Sequence, residues 1–301
     1  DCNLALDRAV MLAENNQANL SVITVIPSIT AGIGMSEGGA ISTELQDAPV
    51  KSCKQELENL VEPYLQRIKI EIKVLIGTPF LEIIREVLRN VHDMVIKCPE
   101  SPDWLTSLFS SDDKHLLRKC PCPVWMLRPQ TGELFDHILA AVDVDDSYPS
   151  EELKTRQALN EMIIELASSL AVSEFAELHV VHAWEAIGEG IMRHGIFMQK
   201  PENEVNAYVH QVRLHHAQLL DTLIKEVSDK LGEDAADYIK PQLHMPKGSA
   251  RKVIPGLAKE LQVDCIVMGT VARTGVPGLF MGNTAETILD QLECSVLAIK
   301  P

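Results

Sequence analysis

The chain is 301 residues long with a mass of 33.3 kDa, enough for two domains at roughly 100 to 200 residues each. Apolar residues make up 46% and charged residues 23%, which excludes collagenous and disordered classes; the longest apolar runs fall short of the roughly 18 residues of a membrane span. Lys and Arg number 27 against 43 Asp and Glu, a formal net charge of −16. That charge repels phosphate backbones and anionic lipid, so nucleic acid is not expected as a partner.

Seven cysteines (2, 53, 98, 120, 122, 265 and 294) are spread along the chain without CxxC or zinc-ribbon spacing. An odd number at such spacing reads as free thiols in a reducing cytoplasm. Cys120-Pro-Cys122 has poor chelate spacing and reads as structural, in keeping with the burial tendency of free cysteine. The sequence opens at Asp1 with no Met and no signal-like apolar region, so it is expected to begin inside the protein.

In chain order, apolar periodicity predicts a helix over 4–15, a strand over 20–26, a helix over 51–67 and a strand over 68–76. The Gly, Ser and Thr-rich stretch 28–49 between them has little periodicity and reads as a mobile loop or a segment with residues missing. Residues 77–98 then read as a glycine turn, an amphipathic helix, an Asp and a short strand, and 116–129 as helix, turn and strand. A linker is expected at 130–133. Beyond it come a strand (135–143), a helix (151–171), a strand (176–184), a long helix (202–231) and strands at 238–245, 264–268 and 295–299.

Two blocks recur. Residues 77–98 align without a gap on 248–269, and 116–129 on 288–301. The chain is therefore a tandem duplication, with domains expected at 1–130 and 134–301. Near-continuous apolar strands alternating with helices define an α/β class, and right-handed crossovers give two tandem doubly wound, five-stranded parallel sheets of Rossmann-like type, each with a crevice at its topological switch point. The first copy lacks an opening strand. In this topology that strand is central, so its loss leaves two sheet fragments, and a preceding strand is expected outside the given sequence.

The segment 268–287, MGTVARTGVPGLFMGNTAET, follows a strand with a glycine-containing loop and a helix start. Free backbone N–H groups and the helix dipole there suit an anion. Gly269 allows close backbone approach, and Asn283 reads as the N-cap with Glu286 as its capping-box partner. Helices without ligands start the same way.

With this loop and the duplication on view, the whole chain resembles the tandem members of the universal stress protein family, most closely the E type, whose domains are adenine nucleotide alpha hydrolase-like. Nucleotide-binding members carry Gly, two residues, Gly, nine residues, Gly and a small polar residue; here stand Gly269, Ala272, Gly282 and Asn283 at those spacings. Ala272 departs from the pattern, and its methyl group would crowd a phosphate.

The resemblance implies ATP or another adenine nucleotide, with Mg, as the cofactor. Val142 and Asp143 would lie near the adenosine, Ala183 along the base, the backbone of Asn283, Thr284 and Ala285 around the phosphates, and Arg273 would supply the cation. On residue chemistry alone, Asp143 equally suits capping the turn 144–147.

The first copy offers Cys98, Pro99, Pro102, Trp104 and Ser110-Ser111-Asp112-Asp113 in the equivalent loop. Asp112 and Asp113 would satisfy the helix terminus themselves, which makes this copy degenerate and limits nucleotide to one per chain. His210, His215 and His216 read as solvated or packed side chains. No HExxH, GxSxG, Walker A, GxGxxG, SGGxDS or HIGH motif occurs, so no catalytic pair is expected. The function expected is a non-catalytic, cytoplasmic stress-response protein of bacterial type with a small-molecule ligand.

The alternative is a binding module for a bulky apolar or mixed ligand, motivated by the methionine-rich insertion 186–201. Antiparallel pairing of 123–128 with 295–300 would close both sheet edges as an internal pseudo-dimer, with a homodimer as the further possible assembly.

Overall fold

The computed structural model describes residues 2–29, 40–99, 109–128, 134–195, 198–231, 240–270 and 281–300. The chain forms two compact units, Asp1–Thr131 and Gly132–Pro301. The linker expected at 130–133 lies outside the described residues.

In the first unit the order is α1 (Cys2–Asn16), β1 (Leu20–Ile26), α2 (Ala40–Val61), a 3-10 turn (Glu62–Tyr64), β2 (Ile70–Ile76), α3 (Pro79–Asn90), β3 (Val95–Lys97), α4 (Ser111–Lys119) and β4 (Val124–Met126). β1 pairs in parallel with β2, and β3 with β4. Leu6 and Val10 of α1, Val61 of α2 and Ile70 of β2 form a buried cluster against which Leu20, Val22 and Ile72 pack.

One expectation is corrected. The loop read over 28–49 is helical from residue 40, so that α2 carries Pro49 in its interior. Its Ser and Thr residues and that proline hid the helix from periodicity, and packing of α2 on β1 and β2 outweighs the propensity cost.

The second unit contains β5 (His137–Ala141), α5 (Ser150–Glu174), β6 (Glu177–Val181), α6 (Glu189–His194), α7 (Glu202–Leu231), β7 (Gln242–His244), α8 (Ala250–Glu260), β8 (Cys265–Gly269), α9 (Asn283–Leu289) and β9 (Ser295–Ile299). Its strands run in the order β9-β8-β5-β6-β7, all neighbours parallel. Ile138, Leu139, Ala140, Ile266 and Val267 on the two central strands are completely buried, which explains their unbroken apolar run.

Chain order and sheet order place the reversal between β5 and β8. From β5 the chain crosses by α5 to β6 on one side; from β8 it crosses by α9 to β9 on the other. This is the doubly wound pattern expected. The first unit repeats it as two pairs, β4-β3 and β1-β2, with no described strand of that unit in the place β5 holds in the second.

Backbone geometry records the duplication as clearly as sequence does. Gly77 and Gly248, equivalent positions, have φ of +147° and +137°. A side chain added at Gly77 would also sit 2.9 Å from Glu82 Cγ, and one at Gly248 would sit 3.0 Å from Val253 Cγ1. Only glycine suits both positions. The residues closing the helices that follow, Val91 and Gln262, both have φ of +52°. Gln17 and Phe175, just past α1 and α5, share the left-handed conformation at +51° and +57°.

Candidate functional site

Eight of the ten expected site residues lie at the carboxyl ends of the second unit's strands and in the segments that follow them. Register pairs Ala141 with Met268, so Val142 and Gly269, one residue on, leave the sheet side by side. Val142 is buried and donates its N–H to Val181 O at 3.0 Å; Ala183 follows two residues beyond β6. The chain returns from its loop at Gly282, whose N–H donates to Thr270 O at 3.1 Å. Ala272 and Arg273 lie outside the described residues.

Gly282, not Asn283, is the N-cap of α9, with φ −70° and ψ 142°. Asn283 is the first helical residue, no side chain caps the helix, and the expected Glu286 capping box is absent. The first intrahelical bond runs from Glu286 N–H to Gly282 O at 3.0 Å. The N–H groups of Asn283, Thr284 and Ala285 therefore precede the ladder and are open to an acceptor. Gly269 has a packing reason of its own: a Cβ there would meet Leu159 Cδ2 of α5 at 2.6 Å. Its glycine does not require a phosphate.

Asp143 is engaged by its own unit. Its N–H donates to Asn160 Oδ1 at 3.0 Å and its carbonyl accepts from Asn160 Nδ2 at 2.8 Å. The carboxylate accepts from Arg156 Nη1 at 2.9 Å, Tyr148 OH at 3.1 Å and the Asp145 N–H at 3.3 Å. Arg156 stacks over the Tyr148 ring, 3.6 Å from its centroid. Asp145 repeats the turn by accepting from the Ser147 N–H at 2.9 Å. Burial raises the Asp145 carboxyl, but the Ser147 hydrogen bonds and the nearby His216 and His182 outweigh it, and its pKa falls below the usual range. The turn-capping role of Asp143 is thus built, with an ion pair added to it.

A histidine pair lies beneath this turn. His182, almost completely buried, has Nε2 2.9 Å from Nδ1 of buried His216 on α7. Its Nδ1 faces the Val144 N–H at 3.5 Å. Burial pushes the His182 pKa below its ordinary value; Asp143 opposes that shift and His216 adds to it. His215 pairs with Asp146 at 2.9 Å, and His210 is exposed. The reading of these helix histidines as packed or solvated holds, but periodicity could not show that His216 meets His182, just past β6 and 34 residues away.

The equivalent position in the first unit is closed by its own side chains. Ser110 Oγ accepts from the Asp113 N–H at 3.1 Å while Asp113 Oδ2 accepts from the Ser110 N–H at 3.0 Å, a complete capping box. Lys97 Nζ donates to Asp113 Oδ1 at 2.6 Å. Asp113, fully buried, is thus the anion at this helix terminus. Lys97 offsets one of the two carboxylates weighed from sequence, and Asp113 rather than repulsion from a free charge occupies the terminus.

Two tandem doubly wound units, the second with its topological switch point between β5 and β8, define the fold class as tandem α/β. Residues 1–128 and 134–300 each match the universal stress protein family, and the chain belongs to that family. It is 35% identical over 237 residues to universal stress protein E of Escherichia coli, covering 78% of this chain and 69% of that one. It is 30% identical over 305 residues to universal stress protein E of Photorhabdus laumondii, covering 99% and 90%. Among solved structures, a functionally unknown protein from Pseudomonas aeruginosa matches with a TM-score of 0.67 and 27% identity, covering 99% of this chain and 88% of that one. A universal stress protein from Archaeoglobus fulgidus shares the fold with a TM-score of 0.63 and 17% identity, covering 99% and 93%.

Proposed function

We propose that this chain is a non-catalytic stress-response protein that binds one adenine nucleotide, ATP or AMP with Mg on the phosphates, in the crevice between β5 and β8 of its second unit. The observation that carries this reading is the convergence of Val142, Gly269 and the uncapped first turn of α9 at the switch point. Open N–H groups at Asn283, Thr284 and Ala285 suit phosphates, Val142 and Ala183 offer apolar contact to a purine, and Arg273 supplies a cation. Asp143 reaches the ribose only by sharing its carboxylate with Arg156. A cytoplasmic setting agrees with the free cysteines at 53, 98, 120, 122, 265 and 294.

Equilibrium dialysis with ATP tests the proposal. The chain is expected to retain nucleotide and a Gly282→Trp variant to lose it, because an indole at that φ is locally unstrained yet fills the mouth of the crevice. No retention at millimolar ATP sinks the nucleotide reading.

A second reading has its own observation. Ile187, Ile191 and Met198 are 78%, 60% and 59% exposed around α6. Polar bonds hold this segment from beneath: Arg193 reaches Glu189, Glu202 and Asn206, and Tyr208 OH donates to Ile187 O at 2.8 Å. Lys247 hydrogen-bonds Glu189, and that bond, with Arg193, holds its carboxyl below the usual range. Such an anchored apolar surface suits a ligand with an acyl or aromatic portion. Mass spectrometry of small molecules extracted from purified protein separates the two readings.

A further inference from the structure

At the opposite, amino-terminal end of the second unit's strands, three potential ligands converge on one face. His137 opens β5, and register places it beside Glu177, the first residue of β6. His179, two residues along, projects from the same face as Glu177. His137 Nδ1 stands 3.3 Å from His179 Nε2, and Glu177 Oε2 lies 4.0 Å from each of those nitrogens. The three donor atoms fall within 4.8 Å of one another.

These distances suit a tetrahedral ion. Two ligands about 2.05 Å from zinc are separated by about 3.3 Å, the spacing of the two imidazole nitrogens. Glu177 needs an inward movement of about 0.8 Å to complete the triangle, and its side chain is 61% exposed.

A second layer fixes the ligands. His179 is buried, and its other nitrogen, Nδ1, lies 3.1 Å from His244 Nε2 on β7. An Nδ1–H donated to His244 leaves the Nε2 lone pair aimed at the site, the arrangement that orients metal-bound histidines. Gln242 Nε2 donates to Glu177 Oε2 at 2.9 Å. Asp264 Oδ2 accepts from the backbone N–H groups of Asp136 and His137 at 2.7 and 2.9 Å, which fixes the start of β5.

We propose that His137, Glu177 and His179 form a binding site for a zinc-class divalent ion, with the fourth position open to water or an external ligand. Imidazole and carboxylate donors in this set select first-row ions over calcium or magnesium, which favour all-oxygen ligands. The site is separate from the proposed nucleotide crevice, since it lies at the other end of the same strands. Its occupancy would tie β5 to β6.

The test is calorimetric titration of the metal-stripped 301-residue chain with zinc chloride in a non-chelating buffer. Binding of one ion, tighter than about 10 μM, is expected. His137→Asn and Glu177→Gln, both at partly exposed positions and checked for fold by circular dichroism, should each weaken it at least tenfold. A Cys120→Ser, Cys122→Ser double variant should bind zinc unchanged. Binding weaker than that limit, or tight binding that survives both ligand variants, would overturn the site.

Discussion

Asn160 fixes the crevice at the scale of single residues. Its side chain, 6% exposed, satisfies both the N–H and the carbonyl of Asp143 as the chain leaves β5. Asn160→Leu removes both partners from a buried backbone, so a loss of about 2 to 3 kcal/mol is expected in urea denaturation; a change below about 0.5 kcal/mol would show that solvent replaces them. Val91 presents the opposite case. It is β-branched, 80% exposed and held at φ +52°, so Val91→Gly should relieve strain of about 1 kcal/mol or more, less the entropy of an added glycine. The measured midpoint should rise slightly. A clear fall would mean that the valine side chain makes contacts worth more than the strain.

Asn160 and Val91 were not legible from the chain alone. The turn role of Asp143 was readable from its residue type, but its bonds to Arg156 and Asn160 depend on a helix that begins several residues later. The cluster of His137, Glu177 and His179 is different. Glu177-x-His179 on a strand places both on one face by period two, and that signal was available; His137 and His244 join only through sheet order.

Element by element, the recurring block at 77–98 and 248–269 made the strand–helix sequence readable, because each copy confirmed the other. Helix α2 began earlier than its periodicity, α6 was too short to show one, and α9 began one residue earlier than the cap residue type suggested. Gly282 can serve as N-cap without a side chain, which no pattern of Ser, Asp or Asn reveals.

At α4 the cap is complete, and Ser110→Ala should cost about 1 kcal/mol in thermal or urea unfolding. An unchanged midpoint would show that Lys97 alone holds Asp113. Between β6 and α7, His182 has a pKa below its unfolded value. As pH falls through about 6.5 the unfolded chain takes up a proton that the folded chain does not, so stability declines, by at most about 1.4 kcal/mol per pH unit until the folded His182 itself titrates. Asp143, Asp145 and His216 are the ionisable groups facing it. Melting temperature should drop between pH 7.5 and 5.5, and drop less in a folded His182→Asn variant. An equal drop in both would assign the effect elsewhere.

For the whole molecule, duplication supplies an internal control. The two helix termini descend from one pattern, yet α4 is sealed by Ser110, Asp113 and Lys97, whereas α9 begins at Gly282 with no side-chain cap. The account therefore assigns one nucleotide per chain, to the second unit. Calorimetric titration of the intact chain with ATP and Mg tests this most directly. It predicts a stoichiometry of one, abolished by Gly282→Trp and unaffected by Ser110→Ala. A stoichiometry near two, or binding lost with Ser110→Ala and retained with Gly282→Trp, would contradict it.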